Sequence, residues 1–256
     1  ALEQKANALE RLGDVERLVG KYANCVKHWN ETLPLWTKLE EKDRTATLHR
    51  KMANVLWDML GEKKNAKEHH EAALEILETQ PESVELARLY EDMAHMHRRI
   101  GEFAEALPLA EKALALAEKL NALEAIAISC NELSVDIILR ARGGDFKKAF
   151  EYADRALKIA LENEYWETAL WAYYRLIGAL PVEEYEKRMD YLEKGLALAE
   201  KIGHVFWQSQ FRLMQAEFNI WCGELDKAIA ALDEALSLFK RTGDKFDTST
   251  VLLDLG

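Results

Sequence analysis

The stretch GEFAEALPLAEKAL, Gly101 to Leu114, runs from a turn glycine through helix-forming sequence to a leucine thirteen residues on. The chain repeats the interval: Gly20 to Leu33, Gly61 to Leu74, Gly144 to Leu157 and Gly223 to Leu236. A sixth copy has Glu183 in the glycine position and ends on Leu196. The anchors are 41, 40, 43, 39 and 40 residues apart. A period of this length marks a stacked array of helix pairs rather than one globular core. Five residues after each anchor stand Cys25, Ala66, Ala106, Ala149, Arg188 and Ala228. Twelve after stand Thr32, Ala73, Ala113, Ala156, Gly195 and Ala235, and mostly small side chains there let helices approach closely. An aromatic two residues after the anchor, at Tyr22, Phe103, Phe146 and Tyr185, is placed to plug the seam between repeats; Lys63 and Leu225 break that column.

Helix formers dominate and strand patterns are absent, so the fold is all-α. Helices are expected over 2–19, 22–40, 43–60, 62–79, 83–100, 102–120, 122–142, 145–162, 164–180, 183–202, 205–222 and 224–241. Glycine closes the helix inside a repeat, and Glu102, Asp145 or Glu224 favours the positive start of the next. Pro81 fits a first helical turn beside Glu82 and Ser83, and Pro181 interrupts the fifth repeat. Pro34 and Pro108 fall inside expected second helices, where either a kink or a shifted boundary is open. The segment LRARGGDF carries three extra residues, which predicts an extra turn or looser corner near Arg142 and Gly143.

With 34 Lys+Arg against 45 Asp+Glu, the net charge of -11 disfavours nucleic acid and anionic lipid as partners. Hydrophobic residues make up 49% but no apolar run of about 18 exists to span a bilayer, and Ala1 to Glu10 lacks a secretion-signal pattern. Cys25, Cys130 and Cys222 form no CxxC pair and stand where small apolar residues serve. A cytoplasmic location is the expectation. With 4 Pro and 12 Gly there is little linker material, and a single solenoid domain over 1–256 follows. Its repeats are 2–41, 42–81, 82–121, 122–162, 163–203 and 204–242. Leu9, Leu12 and Gly13 form an L-x-x-L-G pattern that returns at Leu252, Leu255 and Gly256, so 243–256 reads as a partial seventh repeat or as a capping helix.

The L-x-x-L-G pattern, the Gly-Asp or Gly-Glu turn and the small residue followed later by Ala-Leu resemble the tetratricopeptide repeat over nearly the whole chain. The period near 40 is similar to the long version in maltose-regulator-like signalling ATPases, cyclase-linked repeat regions and kinesin light chains, and departs from the usual 34; the closing proline is missing. The resemblance implies a right-handed superhelical α-solenoid of antiparallel helix pairs, about six repeats plus the partial seventh. It also implies a concave groove, built from first helices, that holds a peptide or partner protein. Spacing from each turn places on that wall Lys51, Val55 and Asp58; Arg88, Glu91, His95 and Arg98; Asn131 and Val135; Trp171 and Tyr174. In the sixth repeat the polar stripe Gln208, Arg212, Gln215 and Asn219 is expected to face the groove, and the apolar stripe Phe211, Met214, Phe218 and Trp221 the core.

Sharper chemistry finds little support. His95 and His97, like His69 and His70, are too close in sequence to share an ion from one helix, so surface histidines are expected and no metal or cofactor. Gly143, Gly144 and Asp145 lack the Lys-Ser/Thr of a phosphate loop. Ser129, Cys130 and Ser134 lack an evident base. Tyr165, Trp166, Trp171, Tyr173 and Tyr174, with Trp207 and Phe211, are core fillers unless Trp171 or Tyr174 projects as an anchor. Arg88, Arg98 and Arg175 would then pair with acidic groups or a C-terminal carboxylate, and His95 would let protonation modulate the site. The expectation is a non-enzymatic protein-binding scaffold. The alternative is an effector-sensing or self-association module of a larger signalling ATPase, cyclase or transcription regulator, and an exposed array end leaves homodimerisation open.

Overall fold

The computed structural model describes residues 1–18, 21–140 and 145–242. Gly20, the loop at Arg142 to Gly144 and the whole of 243–256, where the seventh-repeat and capping alternatives fall, lie outside the described residues. The described residues form twelve α-helices and no strand. In chain order these are α1 (Leu2–Leu18), α2 (Tyr22–Lys38), α3 (Lys42–Asn54), α4 (Lys63–Glu78), α5 (Val84–Arg99) and α6 (Phe103–Lys119). There follow α7 (Leu123–Arg140), α8 (Phe146–Glu162), α9 (Trp166–Ala179), α10 (Tyr185–Lys201), α11 (Val205–Trp221) and α12 (Leu225–Thr242). Contacts gather them into two compact units, Ala1–Glu132 and Leu133–Gly256.

Each hairpin closes for local reasons. Gly101 (φ 82°) and Gly223 (φ 75°) adopt the left-handed conformation that ends a first helix. At the junctions between repeats the same conformation falls to Glu40, Asn121 and Glu164, side chains that pay roughly 1 kcal/mol for it. The copy with Glu183 turns differently: Pro181 leads into a 3-10 turn, Val182–Glu184, and no left-handed residue is needed. Ser83 caps α5 by accepting from the Leu86 amide, so Pro81 precedes the helix instead of entering its first turn. Asp145 caps α8 through the Lys148 amide, whereas Glu102 makes no side-chain cap. Pro34 and Pro108 lie within continuous α2 and α6.

A π-helical turn, Val55–Met59, extends α3. Its wider i to i+5 spacing takes up an additional residue. That accounts for the 41 residues between Gly20 and Gly61, one more than the next interval.

Packing explains the small columns. Cys25, Ala66, Ala106, Ala149, Thr32, Ala73, Ala113, Ala156 and Ala235 are fully buried. At Gly195 even a methyl would approach the Phe211 ring to 2.5 Å, and at Gly13 the Trp29 ring lies equally close. The first unit is centred on Trp29, Trp36, Leu48 and Met52, the last hairpin of the second on Leu232, Ala235 and Phe239. Tyr22 packs on the first core, and Tyr185 meets Phe218 of the following helix edge-on at 5.9 Å, the seam contact expected for the aromatic column. Phe146, by contrast, is exposed.

Candidate functional site

In the first unit the first helices of successive repeats, α1, α3, α5 and α7, present charged side chains to one another across each repeat boundary. Lys51 on α3 reaches Glu10 (3.2 Å) and Asp14 (3.1 Å) on α1. Its neighbour Arg50 turns the other way, to Glu85 (2.5 Å) and Asp92 (2.8 Å) on α5, and Asn54 donates to the same Asp92 carboxylate at 2.9 Å. His95 on α5 lies 3.6 Å from Asp58. Arg98 pairs with Glu132 on α7 (2.5 Å) and donates to His95 Nδ1 (2.8 Å), while Arg88 pairs with Glu124 (2.9 Å). The result is a ladder of half-buried ion pairs from helix to helix. The more exposed pairs contribute up to about 1 kcal/mol each, whereas the Arg50 bridges are nearly buried, and together they set the register of neighbouring helices.

A cleft of about 580 Å³ opens beside this ladder, lined by Asp14, Arg17, Tyr22, Arg50, Lys51, Asn54, Asp58 and the apolar Val55 and Met59. Met59 is exposed at its edge and belongs to the π-helical turn that extends α3. Of the expected wall residues, Lys51 and Asp58 line the cleft, while Arg88, His95 and Arg98 stand on α5 and pair within the ladder. Arg17, Arg50, Asn54 and Asp92 were missed by the spacing argument. The one available signal was that two adjacent cations, Arg50 and Lys51, can serve opposite neighbours when both lie near the exposed face.

Glu91 corrects the expectation: it is 5% exposed, and its carboxyl accepts from Ser129 Oγ on α7. Burial, opposed by that hydrogen bond and aggravated by Asp92 and Glu132, pushes its pKa up to about 8. Glu91 is therefore an interior group, protonated at neutral pH, and not a contact for a partner. Asn131, Val55 and Val135 are buried as well. His70, expected at the surface, is buried, with Nε2 3.3 Å from Asn54 Oδ1, and burial pushes its pKa down to about 4. His49 falls to about 4 for the same reason, then through His69, whose own value is lowered; their Nδ1 atoms are 2.8 Å apart, so one donates and the other accepts. Cys25 and Cys130 are buried, but Cys222 is exposed. Among the described residues no group of three or more His, Cys, Asp or Glu is placed to hold a metal. Among them too, no helix is long and apolar enough to cross a membrane.

In the second unit Trp171 is 36% exposed, meets Trp207 edge-on at 4.6 Å and carries the Arg175 guanidinium at 4.7 Å. Tyr174 is half-buried against the same Trp207, at 5.9 Å. Trp207, Phe211 and Tyr173 are core fillers. The sixth-repeat polar stripe is the second correction. Gln208 donates to the Ala199 carbonyl of α10, and Arg212 pairs with Glu200 of α10 (3.1 Å) and Glu234 of α12 (2.9 Å). The stripe faces second helices, where Arg212, Gln215 and Asn219 line a separate cleft of about 500 Å³. Phe211 and Phe218 are buried as expected, but Trp221 stands out from the surface.

Comparison with known proteins agrees with this architecture. Residues 4–79 and 60–119 match the tetratricopeptide repeat model, which supports that family. A Tonsoku-like protein of Drosophila melanogaster is 24% identical over 189 residues, 67% of this chain and 13% of its own length, so the chain spans a small part of that relative. A Rap protein solved with competence and sporulation factor superposes with a TM-score of 0.76 at 17% identity, covering 98% of this chain and 74% of that one. A signal-transduction ATPase with a tetratricopeptide repeat sensor, from Pyrococcus horikoshii, gives 0.67 at 14% identity, over 96% of this chain and 37% of that one. The likeness shows an all-α, tetratricopeptide-like solenoid fold.

Proposed function

From tetratricopeptide-type repeats in residues 4–119 and a solenoid fold throughout, we propose that this chain is a protein-interaction scaffold with no chemistry of its own. It takes a peptide segment of a partner on the first-helix face of residues 1–132. The observation that carries this reading is the cleft at Arg17, Lys51, Asp58 and Met59. It is concave, mixed in charge, edged by an exposed apolar side chain, and built on rigid helices rather than loops. A Rap conjugation regulator of similar fold, solved in complex with the Phr* peptide, supports a peptide as occupant. A partner entering the cleft meets side chains already paired to one another. Its charges must exchange with the ladder, which favours specificity over raw affinity. The test is a peptide array probed with the intact chain and with Lys51→Glu and Met59→Asp. Loss of the same peptides in both variants, at unchanged helix content, supports the reading, and identical binding by all three proteins refutes it.

A second reading has one observation behind it, the likeness to a repeat sensor of a signalling ATPase, which also favours the long-repeat variant. Under it the same cleft takes an effector and transmits its presence to an attached nucleotide-binding domain. A nucleotide-binding motif in the full-length protein separates the two.

A further inference from the structure

A surface of the second unit has the composition of a docking site. Trp221, at the end of α11, is 59% exposed. Leu225, in the first turn of α12, and Val182, in the 3-10 turn leading into α10, are each 62% exposed, and Ile220 is exposed too. Large apolar side chains this open to water are individually unremarked, but several at one corner mark an interaction site. The start of α10, one turn after Val182, meets the end of α11 where Trp221 stands, and Leu225 follows Trp221 by four residues. Arg188, one turn into α10, holds its guanidinium 4.8 Å from the Phe218 ring and 5.5 Å from that of Trp221, with its Nε donating to the Ile177 carbonyl. Phe218 in turn meets Trp221 edge-on at 5.6 Å.

Two features point to an occupant. Trp221 is exposed on one side and braced on the other, by a buried arginine and a buried phenylalanine. An aromatic fixed in this way loses little conformational entropy when covered, the property of a binding anchor. The surroundings are acidic: Glu183, Glu184 and Glu186 flank Val182 and the start of α10, and Glu217, Glu224 and Asp226 flank Trp221 and Leu225. Lys187 offsets Glu184, Lys227 offsets Glu224 and Arg188 lies within electrostatic reach of Glu217, which leaves Glu183, Glu186 and Asp226 in excess. The rim therefore stays negative around an apolar centre.

We infer that the corner formed by Val182, Trp221 and Leu225 docks a basic amphipathic helix of a partner protein, its apolar stripe on Trp221 and its lysines or arginines on the acidic rim. None of these residues lines the proposed peptide cleft, and docking here does not depend on it. Its polarity is opposite to the nucleic-acid- or membrane-seeking kind, and complementarity of this sort raises on-rate and selectivity together.

The probe is a fluorescent amphipathic helix of about 18 residues made of Leu and Lys at helical spacing. It is compared with a Leu/Glu version of the same pattern and a Lys/Ser version without the apolar stripe, each titrated into the intact chain by anisotropy. The inference expects saturable binding of the Leu/Lys helix alone, weakened about tenfold by Trp221→Ser. It further expects no change on Trp171→Ser and transfer of preference to the Leu/Glu helix when Glu183, Glu186 and Asp226 are replaced by Lys. Equal binding of the Lys/Ser peptide, or indifference to Trp221→Ser, would mean diffuse attraction to an acidic protein and overturn it. Sedimentation supplies the other negative outcome: a dimer that Trp221→Ser converts to monomer makes a second copy the occupant and removes the basic partner.

Discussion

Replacing Glu91 with glutamine tests the interior of the first-helix face directly. The carboxyl is 5% exposed and its pKa lies near 8 instead of 4.5. In the unfolded chain the group ionises above pH 4.5, while in the folded chain it holds its proton to about pH 8. A raised folded pKa means that its contribution is fully present in acid and is lost as pH climbs between those two values. By linkage the loss amounts to roughly 3 kcal/mol at pH 7 and under about 1 kcal/mol at pH 5. Glu91→Gln keeps an oxygen to accept from Ser129 and removes the ionisation. The variant is therefore expected to match the parent near pH 5 and to exceed it progressively toward pH 8. In a chain of this length each kcal/mol is worth about 2–4 °C. Urea midpoints followed by circular dichroism at pH 5, 6, 7 and 8, with amide exchange in α5 because helical arrays do not always unfold as one unit, supply the measurement. A stability gap that stays flat with pH, or a variant weaker than the parent at pH 8, would refute the assignment of Glu91 as a buried neutral acid.

His70 has the opposite sign. Its folded pKa is lowered, so its stabilising share is present above pH 6.5 and is lost as pH falls toward 4, an acid sensitivity of about 3 kcal/mol that His70→Gln should remove in a urea titration at pH 4.5. Gly195→Ala should cost about 1–3 kcal/mol, because the new methyl meets the buried Phe211 ring. Gly223→Ala has open space and should cost only about 1 kcal/mol, from its positive φ; thermal melts of the two compared with the parent will show whether packing or backbone dominates. Asp92→Ala removes an acceptor shared by Arg50 and Asn54, leaving a nearly buried guanidinium with Glu85 alone. A loss of about 2–4 kcal/mol is expected, and salt titration should show it insensitive to ionic strength, unlike Lys64→Ala at an exposed pair.

Much of this molecule was legible before any coordinate. The helices over 22–40, 102–120, 145–162 and 205–222 differ from α2, α6, α8 and α11 by a residue or two at their ends. The columns of alanine and glycine predicted contacts that are now visible, such as Phe211 on Gly195. The site was less legible. The spacing argument chose Lys51 and passed over Arg50, yet Arg50 makes the tighter bridge to the next repeat. It placed Glu91 on the wall and the stripe of Gln208 and Arg212 in the groove, and both point elsewhere. Trp221 was assigned to an apolar stripe by periodicity alone.

The reason lies in the range of the forces. Helix propensity, turn stereochemistry and the need for small residues at close approaches act over a few positions and recur with the period, so composition and interval establish an all-α array of hairpins on their own. Which side chains face a neighbour depends on helix rotation, and a single residue of offset is worth about 100°. The ladder partners come from 34 to 42 positions away, as Arg98 with Glu132 and Arg50 with Asp92 do. Their pairing, the burial that keeps Glu91 neutral, and the bracing of Trp221 by Arg188 exist only once the helices have been rotated and stacked against one another.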